Sequence, residues 1–276
     1  MHIPFAFYLI GILQPRLIVE LGTHRGDSYC SFLQAVADLG IDTKCYAVDH
    51  WTGDQHSGYY GDEVYNELRQ YHDKFYSDFS QLLRMTFDEG LQYFSEKSID
   101  FLHIDGEHTY EAVKHDFDLW LPKMSESGVL LLHDTDKKDK NFGVYRLWEK
   151  LKKIYPSINF SYGNGLGILF VGTKISYEVI NDITKSFPPD FFRALGERVY
   201  FKKKHELLNY QLDATTAELQ STTAELHMIE RTILWRAARK FYFLVDKLFP
   251  SNTRRRQWYS LMVERIKGGR GEHNLI

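Results

Sequence analysis

The stretch that decides the fold comprises residues 99–135 and reads IDFLHIDGEHTYEAVKHDFDLWLPKMSESGVLLLHDT. Two short apolar runs near its ends, residues 99–104 and 129–132, are typical of buried strands. The amphipathic pattern between them predicts a helix over residues 110–121, which Pro122 would end. A strand, a helix and a second strand at this spacing predict a crossover that joins two parallel strands.

Acidic and histidine side chains follow both predicted strands. The first strand leads into Asp-Gly-Glu-His at 105–108 and the second into His-Asp-Thr at 133–135. Parallel strands bring their carboxyl ends to one edge of the sheet, where open α/β sheets bind ligands. The two aspartates and two histidines therefore form a candidate active site. Structural alternatives stay open, since Asp105 could cap the next helix, Asp134 could bond the glycine loop described next, and His133 could be a packed side chain.

A glycine loop lies near the start of the chain. A strand over residues 17–21 runs into Glu-Leu-Gly-Thr-His-Arg-Gly-Asp-Ser at 20–28, and a helix follows over residues 28–39. Gly22 and Gly26 allow backbone N–H groups to approach a ligand closely. The spacing G-x-x-x-G differs from the G-x-G-x-x-G of dinucleotide sites, which argues against a nicotinamide enzyme.

The next strand, residues 44–48, ends in Asp49-His50-Trp51. Asp49 lies about 20 residues beyond the glycine loop, where an acidic side chain can accept hydrogen bonds from ribose hydroxyls. A turn aspartate is the alternative. The polar, glycine-rich residues 52–61 that follow predict a lid or binding loop, with a disordered connection as the alternative.

The remaining pattern completes an α/β domain. It predicts a helix over residues 62–76 and a strand over 82–85, after which the amide of Phe87 or the side chain of Asp88 could contact an aromatic base. A helix over 142–154 and two strands at 160–162 and 168–171 around a glycine-rich turn follow. We therefore predict a Rossmann-like doubly wound α/β sheet, mostly parallel, with a terminal antiparallel hairpin, that ends near Thr173.

Composition sets the class of protein. The 276 residues allow one large domain and an appendage, and the net charge of −3 gives no general signal for nucleic-acid binding. Cys30 and Cys45 are expected to be buried free thiols, which suits the cytoplasm. The apolar N-terminal segment has no basic start and is too short to span a membrane, so we expect it to pack against the domain.

The order of these elements and motifs resembles the class I S-adenosylmethionine-dependent methyltransferases. The signatures Asp-Gly-Glu-His-Thr-Tyr-Glu at 105–111 and His-Asp-Thr at 133–135 are similar to those of the subgroup with macrolide-sugar O-methyltransferases and bacterial polysaccharide-cluster methyltransferases. The resemblance covers about residues 15–172. It implies S-adenosylmethionine as cofactor and a sugar hydroxyl as acceptor, within surface polysaccharide biosynthesis.

The resemblance also implies residue roles. His108 would be the general base, while Asp105 and Asp134 sit where metal-dependent relatives hold Mg²⁺. Thr135 departs from those relatives, which often have an amide or carboxylate there, and this leaves the metal open. The predicted catalytic residues are His108, Asp105 and Asp134, and the predicted cofactor-binding residues are Glu20, Gly22, Thr23, Gly26, Ser28, Asp49, His50, Phe87 and Asp105.

Two other functions stay open. One is a non-catalytic scaffold that keeps the fold and recruits glycosyltransferases. The other is a methyltransferase with a small phenol or amine as acceptor. Residues 52–61 and 163–167 would select the acceptor, and one sequence does not reveal which acceptor they fit.

The chain changes character beyond Thr173. We predict a helical linker over 174–200, with a helix over 176–187 that ends at a Pro-Pro pair, and a long helix or coiled coil over 201–247. Heptad spacing predicts self-association, with a lone packed helix as the alternative. The heptad positions are Leu208, Leu212, Thr215, Leu219, Thr222, Leu226, Ile229 and Ile233.

Residues 248–276 form a basic aromatic tail. From Met228 to Ile276 there are 11 Lys and Arg against 4 Asp and Glu. This pattern favours a membrane surface or a protein partner over nucleic acid. The run LFPSNTRRR at 248–256 resembles linkers beside bacterial glycosyltransferase modules, which implies a lipid-linked glycan acceptor at the inner membrane face. A solvated tail is the alternative.

Overall fold

The computed structural model describes residues 2–139, 141–185 and 189–268. The chain divides into two compact units, Met1–Lys203 and Lys204–Ile276. The domain limits drawn from the sequence at 173, 200 and 247 stay predictions. Among the described residues, no helix combines the length and apolar character needed to cross a membrane.

The first unit is an α/β domain. Its strands are β1 (Leu17–Leu21), β2 (Lys44–Asp49), β3 (Gly53–Asp54), β4 (Gly58–Tyr59), β5 (Ser80–Arg84), β6 (Ile99–Ile104), β7 (Met124–His133), β8 (Ser157–Phe160) and β9 (Leu166–Phe170). Its helices are α1 (Ile3–Leu13), α2 (Asp27–Leu39), α3 (Asp62–Phe75), α4 (Phe87–Gly90), α5 (Tyr110–Trp120), α6 (Val144–Leu151) and α7 (Tyr177–Lys185). Helix α8 (Pro189–Arg231) begins in this unit and continues into the second.

The main sheet has seven strands in the order β5-β2-β1-β6-β7-β9-β8. Strands β5, β2, β1, β6 and β7 are parallel, and β9 pairs antiparallel with both β7 and β8. Strands β3 and β4 form a separate antiparallel pair. The predicted fold class is confirmed. Parallel pairing places the ends of β1, β2, β6 and β7 at one edge, as the sequence predicted.

Each face of the sheet is covered by its own hydrophobic cluster. Ile18 and Phe101 pack with α1 and α2, whereas their neighbours Val19 and Leu102 pack with Trp120 on the other face. This alternation follows from the two-residue period of a strand. Covering both faces explains why these strands read as continuous apolar runs.

The N-terminal segment forms α1, which packs against α2. Phe5, Leu9 and Ile10 are fully buried there, as expected of a packing segment. Cys30 and Cys45 are both free in the described structure. Burial raises the pKa of each thiol to about 12, which keeps both unreactive.

Several boundaries differ from the sequence prediction. Strand β7 begins at Met124, before the apolar run at 129–132, and its pairing with β6 shifts register after Ile99. The predicted strand at 160–162 lies instead at Ser157–Phe160, and α8 begins at Pro189 rather than at Phe191 or Arg198. Residues 186–188, which hold the end of the predicted 176–187 helix and the first proline after it, lie outside the described residues.

The second unit is helical. It contains the rest of α8, then α9 (Ile233–Leu248) and α10 (Arg254–Gly268). Thr232 interrupts the predicted long helix, because it adopts an extended conformation and its side chain accepts a hydrogen bond from Trp235 N. Heptad leucines such as Leu212 and Leu219 are exposed. Self-association through the heptads stays a prediction.

Candidate active site

The glycine loop is packed against the end of β6. Gly22 has φ +82° and Gly26 has φ +81°, a backbone conformation that glycine adopts at little cost. A Cβ added to Gly22 would lie 2.2 Å from the carbonyl oxygen of Asp105. The amide of Asp105 donates to Leu21 O at 2.8 Å. The loop predicted to hold the cofactor and the turn predicted to hold the acceptor are therefore in direct contact.

Asp49, at the end of β2, stabilises the glycine loop through hydrogen bonds. Its Oδ2 accepts hydrogen bonds from the amides of Thr23 at 2.8 Å and His24 at 2.9 Å. Its Oδ1 accepts one from the amide of Trp51 at 2.7 Å. A carboxylate oxygen has about two acceptor sites, so Oδ1 retains one for a ribose hydroxyl. Asp49 thus holds the loop in shape, and its ribose role stays a prediction.

Glu20 lies beneath the loop and is fully buried. Its Oε2 is 2.7 Å from Nδ1 of the buried His103, the residue opposite it in the β1–β6 register. Its Oε1 has no hydrogen-bond partner among the described residues. His103 was not among the predicted site residues. Its position inside a fully buried strand indicates that its side chain needs a polar partner.

Four side chains at the ends of β6 and β7 form a closed cluster. His108 Nε2 lies 3.3 Å from Asp105 Oδ1 and 3.3 Å from Asp134 Oδ2. His133 Nδ1 lies 3.3 Å from the same Asp105 atom and 3.0 Å from Asp134 Oδ1. Each carboxylate therefore contacts both imidazoles. The three predicted catalytic residues come together, and His133 joins them as a member of the site.

The charges in this cluster are mutually stabilised. Burial lowers the pKa of His133, but the carboxylates of Asp105 and Asp134 outweigh burial and raise it to about 10. Burial likewise raises the pKa of Asp105, but His133 and His108 outweigh it and hold that pKa well below the usual range. His133 is therefore a cation and Asp105 an anion at neutral pH.

The β3–β4 hairpin covers His108. The ring of His56 lies 5.6 Å from that of His108, and Phe142 stacks on His108 at 4.9 Å. Gln55 Nε2 donates to Glu107 Oε1 at 2.8 Å, which ties the hairpin to the 105–108 turn. His108 Nδ1 is buried without a hydrogen-bond partner in the part of the chain that the structure describes. His56 and Phe142 lie in separate loops, and no sequence pattern placed them here.

A cavity of about 460 Å³ joins the loop to the cluster within the first unit. Five of the predicted site residues line it: Gly22, Thr23, Ser28, Asp105 and His108. His103 and His133 line it as well, together with the apolar residues Phe5, Ala6, Phe32, Leu131 and Leu166. Its volume falls in the range of small-molecule sites.

The other predicted site residues lie outside the described lining of this cavity: Glu20, Gly26, Asp49, His50, Phe87 and Asp134. Gly26 packs against Leu68, and the exposed His50 accepts a hydrogen bond from the amide of Thr52 at 3.1 Å. Phe87 packs on the turn beside Asp105, where its ring would lie 2.5 Å from a Cβ added to Gly106.

The base-contact prediction concerned Phe87 and Asp88. Asp88 Oδ1 lies 3.0 Å from His115 Nε2, an ion pair at the surface. Burial raises the pKa of the neighbouring Asp116 to about 7. A protonated carboxyl can donate as well as accept a hydrogen bond. Asp116 therefore places a second polar group near the turn at Gly106, which the sequence did not predict.

Metal binding is geometrically possible in the cluster but does not fit Mg²⁺. Ligand atoms of Asp105, His108 and His133 lie within 4.8 Å of one another, the set that the described residues offer. Mg²⁺ is bound through oxygen ligands, and two of these three ligands are imidazoles. The predicted pair, Asp105 and Asp134, is engaged by His108 and His133. The structure therefore gives the Mg²⁺ prediction no support, and no chemical step below involves a metal.

Comparison with known proteins covers the first unit and part of the second. Residues 19–135 match the family model described as a methyltransferase domain. An uncharacterized protein, y4gI of Sinorhizobium fredii, is 40% identical over 239 residues, which are 84% of this chain and 26% of that protein. The chain thus spans about a quarter of the length of that curated relative.

Solved structures with a similar chain path include two methyltransferases. The O-methyltransferase TomG from Streptomyces achromogenes, involved in tomaymycin synthesis and solved with S-adenosylmethionine, gives a TM-score of 0.47 at 16% identity over 62% of this chain and 79% of that chain. The methyltransferase PaMTH1 of Podospora anserina, solved with S-adenosylhomocysteine, gives a TM-score of 0.46 at 11% identity over 60% of this chain and 76% of that chain. Similarities at this level indicate neither substrate nor mechanism. The match to the methyltransferase-domain model covers residues 19–135, which include the glycine loop and the 105–108 turn.

Proposed function

We propose that residues 19–135 are a methyltransferase domain that uses S-adenosylmethionine to methylate a sugar hydroxyl, in surface polysaccharide biosynthesis in the cytoplasm. The observation that carries the proposal is the position of His108. Its Nε2 lies 3.3 Å from carboxylate oxygens of both Asp105 and Asp134, on the cavity that the glycine loop also lines. A base beside a cofactor loop is the arrangement that O-methyl transfer requires.

The residues around the glycine loop fit this cofactor. Thr23 Oγ1 is buried without a hydrogen-bond partner within residues 2–139, 141–185 and 189–268, and Ser28 lies on the same cavity. These hydroxyls suit the carboxylate of an amino acid, and Asp105 suits its ammonium group. The free acceptor site on Asp49 Oδ1 suits one ribose hydroxyl. Glu20 and Gly26 support the loop from outside the cavity.

When bound, S-adenosylmethionine supplies a methyl group on a sulfonium that is already activated for displacement. The protein therefore has to align the acceptor hydroxyl and remove its proton. Acceptor and donor have to meet where the loop and the 105–108 turn are packed together. The backbone contact between Gly22 and Asp105 fixes the distance between the glycine loop and the 105–108 turn.

His108 is the proposed general base, and its Nδ1 is the accepting atom. The carboxylates of Asp105 and Asp134 favour the tautomer that carries hydrogen on Nε2, which leaves the lone pair on Nδ1. The proton of the hydroxyl moves to Nδ1, and the same carboxylates stabilise the imidazolium that forms. His56 and Phe142 flank His108, so the β3–β4 hairpin has to move aside for the acceptor.

His133 and Asp134 act as positioning residues. His133, held as a cation between the two carboxylates, offsets part of their negative charge, so the carboxylates hold His108 without leaving a large uncompensated charge in a buried site. The amide of Asp134 donates to Gly165 O at 3.0 Å, so the 163–167 turn sets the position of this carboxylate.

A small phenol is the alternative acceptor that a specific observation favours. The lining of the cavity includes the apolar side chains of Phe5, Phe32 and Leu166. Burial, followed by repulsion from His133, lowers the pKa of His2 to about 3, so a neutral imidazole lies beside the cluster, 6.1 Å from the ring of His133. An aromatic acceptor would pack against the apolar lining better than a hydrated sugar would.

A donor-dependent methylation screen tests the proposal. The full chain is incubated with labelled S-adenosylmethionine and with sugar nucleotides, lipid-linked glycans, phenols and amines, each with added Mg²⁺ and with chelator. We expect transfer to a sugar hydroxyl in both conditions. Transfer only to phenols or amines would overturn the sugar assignment, and loss of transfer with chelator would overturn the metal-free mechanism. Absence of S-adenosylmethionine binding by calorimetry would favour the non-catalytic scaffold.

A further inference from the structure

Helix α9 (Ile233–Leu248) has a strongly amphipathic sequence. At 100° per residue its aliphatic side chains and Phe241 fall on one stripe about 140° wide, whereas Trp235 and Phe243 lie outside it. The large members of the stripe are exposed: Ile233 and Leu234 are each 84% exposed, and Phe241, Leu244 and Leu248 are each more than half exposed. An exposed stripe of this size is uncommon on a solvated helix and marks an interaction surface.

The opposite face of α9 is cationic. It carries Arg236, Arg239, Lys240 and Lys247. The single acid in the helix sequence, Asp246, forms an ion pair with Arg256 and so contributes no free negative charge. The excess of positive charge extends through the region, which has 11 Lys and Arg against 4 Asp and Glu from Met228 to Ile276.

We infer that α9 binds the surface of an anionic lipid bilayer, with its apolar stripe among the acyl chains and its basic side chains at the headgroups. An amphipathic helix with Lys and Arg on its polar face and aromatic side chains beside its stripe is suited to this position. Trp235 and Tyr242 lie at one border of the stripe, where rings with one polar end favour the membrane interface. This inference is independent of the proposed methyl transfer.

The charge of α9 decides between a bilayer and a second copy of the chain. Two copies paired antiparallel through their stripes would place Lys240 of one helix near Lys240 of the other, because this residue borders the stripe at the middle of the helix. An anionic bilayer accepts the apolar stripe and also attracts these cations, each of which adds to binding. The bilayer is therefore the occupant that satisfies both features.

Vesicle flotation with the full chain is the direct test. We expect binding to vesicles of phosphatidylcholine with phosphatidylglycerol to exceed binding to pure phosphatidylcholine vesicles by about 10-fold or more. Binding to the anionic vesicles should fall as salt is raised from roughly 50 to 500 mM, because salt screens the charged headgroups. Equal binding to both vesicles, or binding to neither, would overturn the inference.

The chain offers a matched pair of variants. Phe241 lies on the stripe and Phe243 lies about 200° around the helix, and both are more than half exposed. We expect F241E to lower binding to anionic vesicles by about 10-fold or more and F243E to leave it within about 3-fold. Circular dichroism checks that both variants keep their helix content. Equal effects of the two variants would contradict the assignment of the stripe.

The oligomeric state gives the competing outcome. Light scattering after size exclusion measures the mass of the wild-type chain and of F241E. If F241E dissociates a dimer while the wild-type chain fails to bind anionic vesicles, the stripe is an interface between copies and the lipid inference is wrong. If the mass is unchanged by F241E while vesicle binding is lost, the inference stands.

Discussion

Gly22 and Asp105 are packed backbone against backbone, so that a Cβ on Gly22 would lie 2.2 Å from the carbonyl oxygen of Asp105. The contact joins the end of β1 to the end of β6. It sets the distance between the loop that is proposed to hold the cofactor and the turn that carries the proposed base. A change at either residue is therefore expected to affect both halves of the site.

Gly22→Ala should lose cofactor binding. Its φ of +82° costs a residue with a Cβ about 1–2 kcal/mol, and the clash with Asp105 adds to this. Calorimetric titration with S-adenosylmethionine should show no binding. Gly40→Ala is the matched control, because Gly40 has φ +62° with no atom of the described residues within 4 Å of an added Cβ. Equal binding by the two variants would contradict the account.

Asp49→Asn should weaken the glycine loop. The amide that replaces one carboxylate oxygen places a donor against the amides of Thr23 and His24, or against that of Trp51. Each unsatisfied buried donor costs about 1–3 kcal/mol. We expect S-adenosylmethionine affinity to fall by about 10-fold or more, measured by calorimetry. Asp42→Asn, at an exposed site before β2, should leave the affinity unchanged, and a parallel loss there would argue against a specific role of Asp49.

Glu20 should matter for stability more than for affinity. Glu20→Ala leaves His103 Nδ1 without its partner at 2.7 Å, which should lower the free energy of unfolding by about 1–3 kcal/mol. Glu20→Gln keeps a hydrogen-bonding group and should retain S-adenosylmethionine affinity within about 3-fold. Urea denaturation and calorimetry measure the two effects. A stable Glu20→Gln protein that no longer binds the cofactor would instead indicate direct contact.

The cluster predicts a pH dependence of stability. The pKa of His133 is raised to about 10, so its contribution is fully present below its unfolded pKa of about 6.5 and is lost as pH rises toward 10. The difference in unfolding free energy between wild type and His133→Asn should be largest near pH 6 and should shrink by pH 9.5. Urea unfolding across this range measures it, and a difference that grows with pH would contradict the charge assignment.

Much of the fold could be predicted because the strands are buried on both faces. Strand β6 was predicted at its observed bounds, since Ile99 and Ile104 are the ends of a run that is apolar apart from Asp100 and His103. Strand β7 was predicted too short, because the Ser-Glu-Ser-Gly segment that follows Met124 separates this residue from the apolar run that begins at Val129. A hydrophobic pattern therefore predicts the buried part of a strand but not a polar extension of the same strand.

The site could be predicted in part for a similar reason. Ile104 pairs with Leu132, so Asp105 and His133 are the next residues on adjacent parallel strands. This register places His133 in the cluster and decides between the two roles, site residue or packed side chain, that the sequence left open for it. His56 and Phe142 could not be found this way, because their positions depend on loop conformations that no periodicity encodes.

The rate of methyl transfer by His108→Gln tests the central claim most directly. Glutamine keeps a polar side chain but cannot take the proton, so kcat on the acceptor found by the screen should fall by about 10²- to 10⁴-fold. Affinity for S-adenosylmethionine should stay within about 3-fold, and His205→Gln in the second unit should keep full activity. A His108→Gln protein that methylates at the wild-type rate would show that His108 is not the base.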